Sequence, residues 1–248
     1  MEGMEYFYEL YKGLPRGGPG DNTTTKRAYE IIGGIPGHPT ILDIGCGPGM
    51  QTLELARLSK GTITALDNYQ PFLDMLMKNA KKEGLQDHIT TTNRSMLNMD
   101  FENATFDIIW SEGALYFFGF HKGLKGLNYI LKDNGYLAFS EAVYLIPDPP
   151  EQVIKYWEDE YPDIGTIQEN ITLIQEEGFR LIDHFTLPKE AWSDHFYTPM
   201  EKRIQQLKQK YANNQTALRV LNYAQKDIAI YQEYSDYFGY EFFITQKK

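Results

Sequence analysis

The chain has 248 residues, of which 42% are apolar, 23% charged and 14% aromatic, and 34 acidic against 24 basic side chains give a formal net charge of -10. That length and balance suit one sizeable core, and the acidic excess argues against a nucleic-acid substrate, whose binding rests mostly on Lys and Arg displacing counterions. No apolar run approaches the roughly 20 residues that cross a bilayer, and "MEGMEYFYELYKG" lacks the basic region and apolar stretch of a secretory signal. Cys46 is the only cysteine, so no intrachain disulfide can form, which fits a reducing, cytoplasmic setting.

The N-terminal residues 1–35 read as a cap: an aromatic segment, the Gly- and Pro-rich loop "RGGPGDNTTT" (16–25), and a helix over 25–34. "TILDIG" predicts a first strand, bounded by Pro39 and Gly45. A helix over 50–58 follows, then a strand "TITALD" (62–67). Phe72, Leu73, Leu76, Met77 and Ala80 form the buried stripe of a helix over 72–83, which Gly84 terminates. "HITTTN" and "FDIIWS" (106–111) predict strands three and four, the latter apolar enough to be buried on both faces. A helix over 123–131 leads to a fifth strand, "GYLAFSEAVYL". Alternating strands and helices over the first 145 residues predict a parallel sheet covered on both sides. Beyond Pro147–Pro150, helices are predicted over 152–160 and 167–177, then the strand "FRLIDHFTLP". A long helical tract follows, with one face marked by Met200, Ile204, Leu207 and Tyr211 and another by Ala217, Leu221, Ala224, Ile228 and Tyr231. The densest basic stretch, Lys202 to Lys210, falls within it and reads as a solvated helix face. "YEFFITQ" (240–246) closes the sheet.

The segment "ILDIGCGPGM" sets Gly45, Gly47 and Gly49 on alternate positions between a strand and a helix. Glycines there permit positive φ and let a ligand approach the main chain at the carboxyl edge of a parallel sheet. The dinucleotide fingerprint G-x-G-x-x-G needs its third glycine at position 50, which is Met50. Asp43, inside the strand, disfavours a pyrophosphate and favours a cationic ligand. Asp67 ends the second strand about 20 residues past the turn, where a carboxylate accepts bonds from ribose hydroxyls. A ribose beside a positive group describes S-adenosylmethionine.

"LDIGCGPG", "ALD", "FDIIWSEGAL" and "LKDNGYLAFSE" together resemble the ordered signature of class I S-adenosylmethionine-dependent methyltransferases, most nearly the ubiquinone-biosynthesis-type and glycine/sarcosine-type small-molecule enzymes. The resemblance covers about residues 40–141. It implies a Rossmann-like, seven-stranded, mostly parallel α/β sheet with helices on both faces and an antiparallel last strand. It implies cofactor contacts from Asp43, Gly45, Cys46, Gly47 and Gly49, from Asp67 and Asn68, from Ser95 and Met96 after the third strand, and from Ser111. Many members carry an acid for the adenine amino group where this chain has Ser95-Met96, which leaves a Ser95 hydroxyl, a backbone group or Met96 stacking for that contact. No metal site is expected.

Methyl transfer is an in-line displacement that needs positioning, exclusion of water and, for some acceptors, removal of a proton. Ser111, Glu112 and Glu141 lie at strand ends near the expected methyl, and Glu112 is the candidate catalytic residue. The alternative is that Glu112 bonds loop backbone. Tyr116 and His121 are weaker candidates. "AWSDHFYTPM" follows no single periodicity, which makes Trp192, His195 and Tyr197 candidates to line a substrate pocket. Tyr6, Phe7, Tyr8 and Tyr11 are candidates to fold over the cofactor with Arg16. The single domain 1–248 is expected to carry its helical tract, 188–237, as a lid inserted between the last two strands; a homodimer interface is the competing use. The reading for the whole is a small-molecule methyltransferase. A non-catalytic S-adenosylmethionine binder and a nicotinamide-dependent oxidoreductase are the alternatives.

Overall fold

In the computed structural model, which describes residues 3–248, "TILDI" forms an interior strand of one sheet. The first two residues of the expected N-terminal cap lie outside the described residues. The strands in chain order are β1 (Thr40–Ile44), β2 (Thr62–Asp67), β3 (Ile89–Asn93), β4 (Phe106–Glu112), β5 (Leu131–Tyr144), β6 (Gly165–Thr166), β7 (Phe179–Thr186) and β8 (Phe238–Lys247). Their spatial order is β3-β2-β1-β4-β5-β8-β7, with the two-residue β6 beside the end of β5. Only β8 runs antiparallel, against both β5 and β7, so β7 points the same way as the parallel strands. The expected seven-stranded path is therefore present, and β6 is an eighth strand too short to leave a pattern in the sequence.

Alternate residues of each strand serve opposite faces. Ile41, Ile63, Trp110, Ala138 and Phe242 enter one core, and Leu42, Ile44, Leu66, Ile109, Phe139 and Phe243 the other. Helices α1 (Met4–Tyr11), α2 (Asn22–Ile31), α3 (Met50–Ser59), α4 (Gln70–Glu83), α5 (Phe120–Ile130), α6 (Glu151–Glu160) and α7 (Ile167–Glu176) surround it. α2 begins three residues before its expected start because Asp21 caps it: its side chain accepts from the Thr24 amide at 2.8 Å. α4 stops at Gly84, whose φ is 71°, as Gly placement predicts.

After β7 come α8 (Lys189–Trp192), a π-turn (193–197), α9 (Thr198–Lys210) and α10 (Gln215–Tyr234). The π-turn adds a residue to one helical turn, which is why "AWSDHFYTPM" shows no single period. These helices pack back on the N-terminal cap. Glu9 binds Lys210 (2.6 Å) and the Tyr211 hydroxyl (2.5 Å), Asn214 donates to the Tyr6 hydroxyl (2.7 Å), and the Gly20 amide donates to the Ala191 carbonyl (3.1 Å). The basic stretch of α9 is thus held in part by the Lys210–Glu9 ion pair to α1. No described helix is long and apolar enough to cross a membrane.

Candidate functional site

Gly45, Gly47 and Gly49 all adopt the left-handed region, with φ of 69°, 53° and 90°. They serve different ends. A side chain on Gly45 would begin 2.5 Å from the Ala114 Cβ, and one on Gly49 would begin 2.3 Å from Leu76 Cδ1. Those two glycines are needed for packing as well as for the turn. Gly47 has room, its nearest neighbour being the Gly17 amide 3.7 Å from that position. The loop after α1 therefore crosses directly over the middle of the glycine turn.

Asp67 fixes this turn. Its carboxylate accepts the Gly47 amide (2.9 Å) through one oxygen and the Tyr69 amide (2.9 Å) through the other. Burial raises its pKa. Each oxygen keeps a second lone pair for a ligand hydroxyl. Tyr8 of α1 stacks on Tyr69 with ring centroids 3.8 Å apart and planes 8° apart. The aromatic N-terminal segment thus does reach the edge of this site, as expected for Tyr8.

Asp43 is fully buried. Oδ2 accepts from the Thr52 hydroxyl at 2.5 Å, while Oδ1 has no partner. Burial pushes its pKa up to about 7. A buried carboxyl oxygen with no donor, at the base of a turn open to ligands, is the feature a cationic ligand would satisfy.

The other expected cofactor residues divide. Met96 reaches the turn, its Cε lying 3.5 Å from where a Gly45 side chain would begin. Ser95 caps the short turn 96–98 by accepting the Leu97 amide at 3.2 Å. Asn68 is exposed next to Asp67. Cys46 turns its side chain into the core, so it offers only main chain to a ligand, and burial raises its thiol pKa. Ser111 is buried and donates to the Ile44 carbonyl at 3.0 Å, tying β4 to β1 rather than facing a ligand.

Glu112 is not held as a free base. Oε2 accepts from Arg16 Nη1 at 2.6 Å, and Oε1 accepts from the Thr25 hydroxyl (2.7 Å) and Trp110 Nε1 (2.9 Å). Both side chains of the Arg16–Glu112 pair are 4% exposed. The carboxylate anchors the N-terminal loop over the glycine turn, and sequence alone gave no sign of this partner 96 residues away. The pocket trio also separates. Trp192 and Tyr197 are buried, Trp192 stacking on Tyr231 at 4.5 Å, whereas His195 faces solvent because the π-turn rotates it outward. His121 is exposed and pairs with Glu177 at 3.2 Å, away from the strand ends.

Glu141 is 1% exposed, and its Oε1 accepts the Ala142 amide at 3.0 Å while Oε2 has no partner. Burial pushes its pKa up to about 8. A carboxyl raised on folding favours the native state while protonated. That contribution is complete below about pH 4.5 and is lost as the pH rises through about 8. Glu141→Gln should therefore match the parent protein near pH 5. At pH 9 it should be the more stable, by on the order of a few kcal/mol at about 1.4 kcal/mol per pKa unit. Thermal melts across that range test this, and equal stability at pH 9 would contradict it.

Residues 41–135 match the family described as a methyltransferase domain. That match takes in the stretch from β1 into the start of β5. Among curated relatives, a sterol 24-C-methyltransferase of Eremothecium gossypii is 32% identical over 111 residues, which cover 44% of this chain and 30% of that protein. The sterol 24-C-methyltransferase erg-4 of Neurospora crassa is 25% identical over 209 residues, covering 78% of this chain and 53% of that one. The chain thus spans about half or less of the length of these relatives. A solved S-adenosylmethionine-dependent methyltransferase of Geobacter sulfurreducens, in complex with S-adenosyl-L-homocysteine, shares the fold at a TM-score of 0.85 and 16% identity, with 98% of each chain covered. The chain has the same Rossmann-like fold as that structure. The matched segment contains the glycine turn, Asp67, Met96 and Glu112. Glu141, Tyr161, Tyr240 and the helical tract lie beyond residue 135, outside the part that matches the family.

Proposed function

We propose that the protein transfers a methyl group from S-adenosylmethionine to a small-molecule acceptor. The observation that carries this reading is the left-handed glycine turn clamped by Asp67 through the Gly47 amide at 2.9 Å, within the segment that matches the methyltransferase-domain family. The residues present fit the cofactor. Asp67 offers lone pairs to ribose hydroxyls, the unpartnered Oδ1 of Asp43 suits a positive group, and Met96 and Tyr69 offer apolar surface beside the turn. Asn68 and the Ser95 hydroxyl lie at its rim. When bound, S-adenosylmethionine supplies an electrophilic methyl on a sulfonium leaving group.

The chain's own part is to position, enclose and keep dry. Glu112 acts as a positioning residue: it holds Arg16, and through it the loop carrying Gly17, over the turn. The segment 188–237 serves as a lid. It follows the carboxyl end of β7, on the same side as the glycine turn, and Trp192 meets Tyr240 edge-on at 4.7 Å. Tyr240 in turn stands against Gly113 at the end of β4. Together the lid and the N-terminal cap would exclude water from the transfer. A single buried cysteine and the acidic surface suit a cytoplasmic enzyme with a small substrate and no polyanion. Calorimetric titration with S-adenosylhomocysteine, with NADH as the opposing ligand, tests the reading.

A further inference from the structure

A polar amide stands inside the apolar stripe of α7. Ile167, Asn170, Ile171 and Ile174 recur at helical spacing and share one face. The three isoleucines pack into the core that holds Leu42 and Phe139. Asn170 is 3% exposed, and among the described residues its side chain has no hydrogen-bond partner. Burying an amide without a partner costs stability, so packing alone does not account for it.

Asn170 lines a cavity of about 450 Å³, formed where the chain leaves α6, passes through β6 and enters α7. Pro162, Ile164 and Leu173 give it apolar walls. Its charged lining is Asp163 and Glu169, and no Lys or Arg faces them there. Glu169 Oε2 accepts the amide and the hydroxyl of Thr166, at 2.7 and 2.8 Å, while Asp163 has no ion-pair partner among the described residues. Gly165 completes the wall. A side chain there would begin 3.1 Å from Asn170 Oδ1 and 3.3 Å from Glu169 Oε2. Gly165 is not among the left-handed glycines, so no turn demands it; the missing side chain leaves the space before those two oxygens open. Gly165 pairs with Val143, which seats the cavity at the carboxyl end of β5.

We propose that this cavity binds a small organic ammonium ion, with Asn170 Oδ1, Asp163 and Glu169 accepting its N–H groups and Pro162, Ile164 and Leu173 covering its apolar part. The oxygens that converge on the cavity are acceptors, which suits a donor. Two carboxylates with no cation beside them favour a charged donor over a neutral one of the same shape. An inorganic cation would leave the apolar walls unused, and the volume falls in the range of small-ligand sites. This is a second site, separate from the glycine turn, and it does not rest on the methyl-transfer reading.

The test is an NMR titration of the full chain, resolved by amide, with 2-phenylethylamine and with 2-phenylethanol, its uncharged isostere. The amine is expected to move the backbone amide of Gly165 and the side-chain amide of Asn170, and to bind at least about fivefold more tightly than the alcohol. Asp163→Asn should remove most of that preference, and Asn170→Leu should weaken the amine at least about fivefold. Asn170→Leu should also melt no lower than the parent, because it loses no hydrogen bond and completes an apolar stripe. A lower melting temperature would mean that the amide is structural. Equal binding of the two probes, binding of neither, shifts confined to other residues, or a preference retained in Asp163→Asn would overturn the site. Failure of S-adenosylhomocysteine to bind the same protein would strike the methyl-transfer reading alone.

Discussion

Asp67→Ala is expected to weaken S-adenosylhomocysteine binding by at least about 100-fold, or about 2.7 kcal/mol, with the circular dichroism spectrum unchanged. Two losses combine. The ribose hydroxyls lose their acceptor, and the turn loses the clamp on Gly47 and Tyr69, both held at 2.9 Å. Asp67→Asn should fall between, since its amide oxygen still accepts one of the two amides. Gly47→Val should abolish binding by a different route. At a φ of 53° a β-branched residue is strained, and the Gly17 backbone stands 3.7 Å from its Cβ position, so the added methyls press on the loop that covers the turn and distort the ligand-facing main chain. Neither position lies in the hydrophobic cores, so loss of fold is not the expected cause. Calorimetry on both variants decides this, and affinity retained in either would mean the turn serves the fold alone.

Arg16→Ala is expected to destabilise the protein by about 3–5 kcal/mol, because it leaves the Glu112 charge buried with only neutral donors. For a chain of this size that corresponds to a melting temperature lower by roughly 6–20 °C. Adding Glu112→Gln to Arg16→Ala should restore most of the loss, since the second change removes the stranded charge. The measurement is a thermal melt of the three proteins. A single variant as stable as the parent would show that Arg16 and Glu112 are not a buried pair and that the N-terminal loop is not anchored through them.

The parallel sheet was legible in the sequence because β1, β2 and β4 are short, rich in aliphatic residues and followed by a turn or helix signal. "TILDIG", "TITALD" and "FDIIWS" fall on β1, β2 and β4 within a residue or so. The antiparallel strand β8 and its pairing with β7 followed from the resemblance and from the lack of other late strands. The glycine turn and Asp67 were legible for the same local reason: their spacing is fixed within one strand-turn-helix unit. What the sequence did not show depends on long-range closure. Arg16 and Glu112 are 96 residues apart, and nothing near either one marks it as half of a pair. Glu141 stood out only as an acid at a strand end, and its burial with one unbonded oxygen shows only in the fold. His195 was grouped with Trp192 and Tyr197 by proximity in sequence, and the π-turn then sent it to the surface. Glu112 was placed correctly at the end of β4, but its lone pairs are taken by donors from two distant segments and one neighbour.

The central claim is that the Asp67-clamped glycine turn binds S-adenosylmethionine and not a nicotinamide dinucleotide. Isothermal titration of the full chain with S-adenosylhomocysteine should show one site of roughly micromolar strength, about 8 kcal/mol, and NADH should give no saturable heat. Saturable NADH binding with none for S-adenosylhomocysteine would contradict the account.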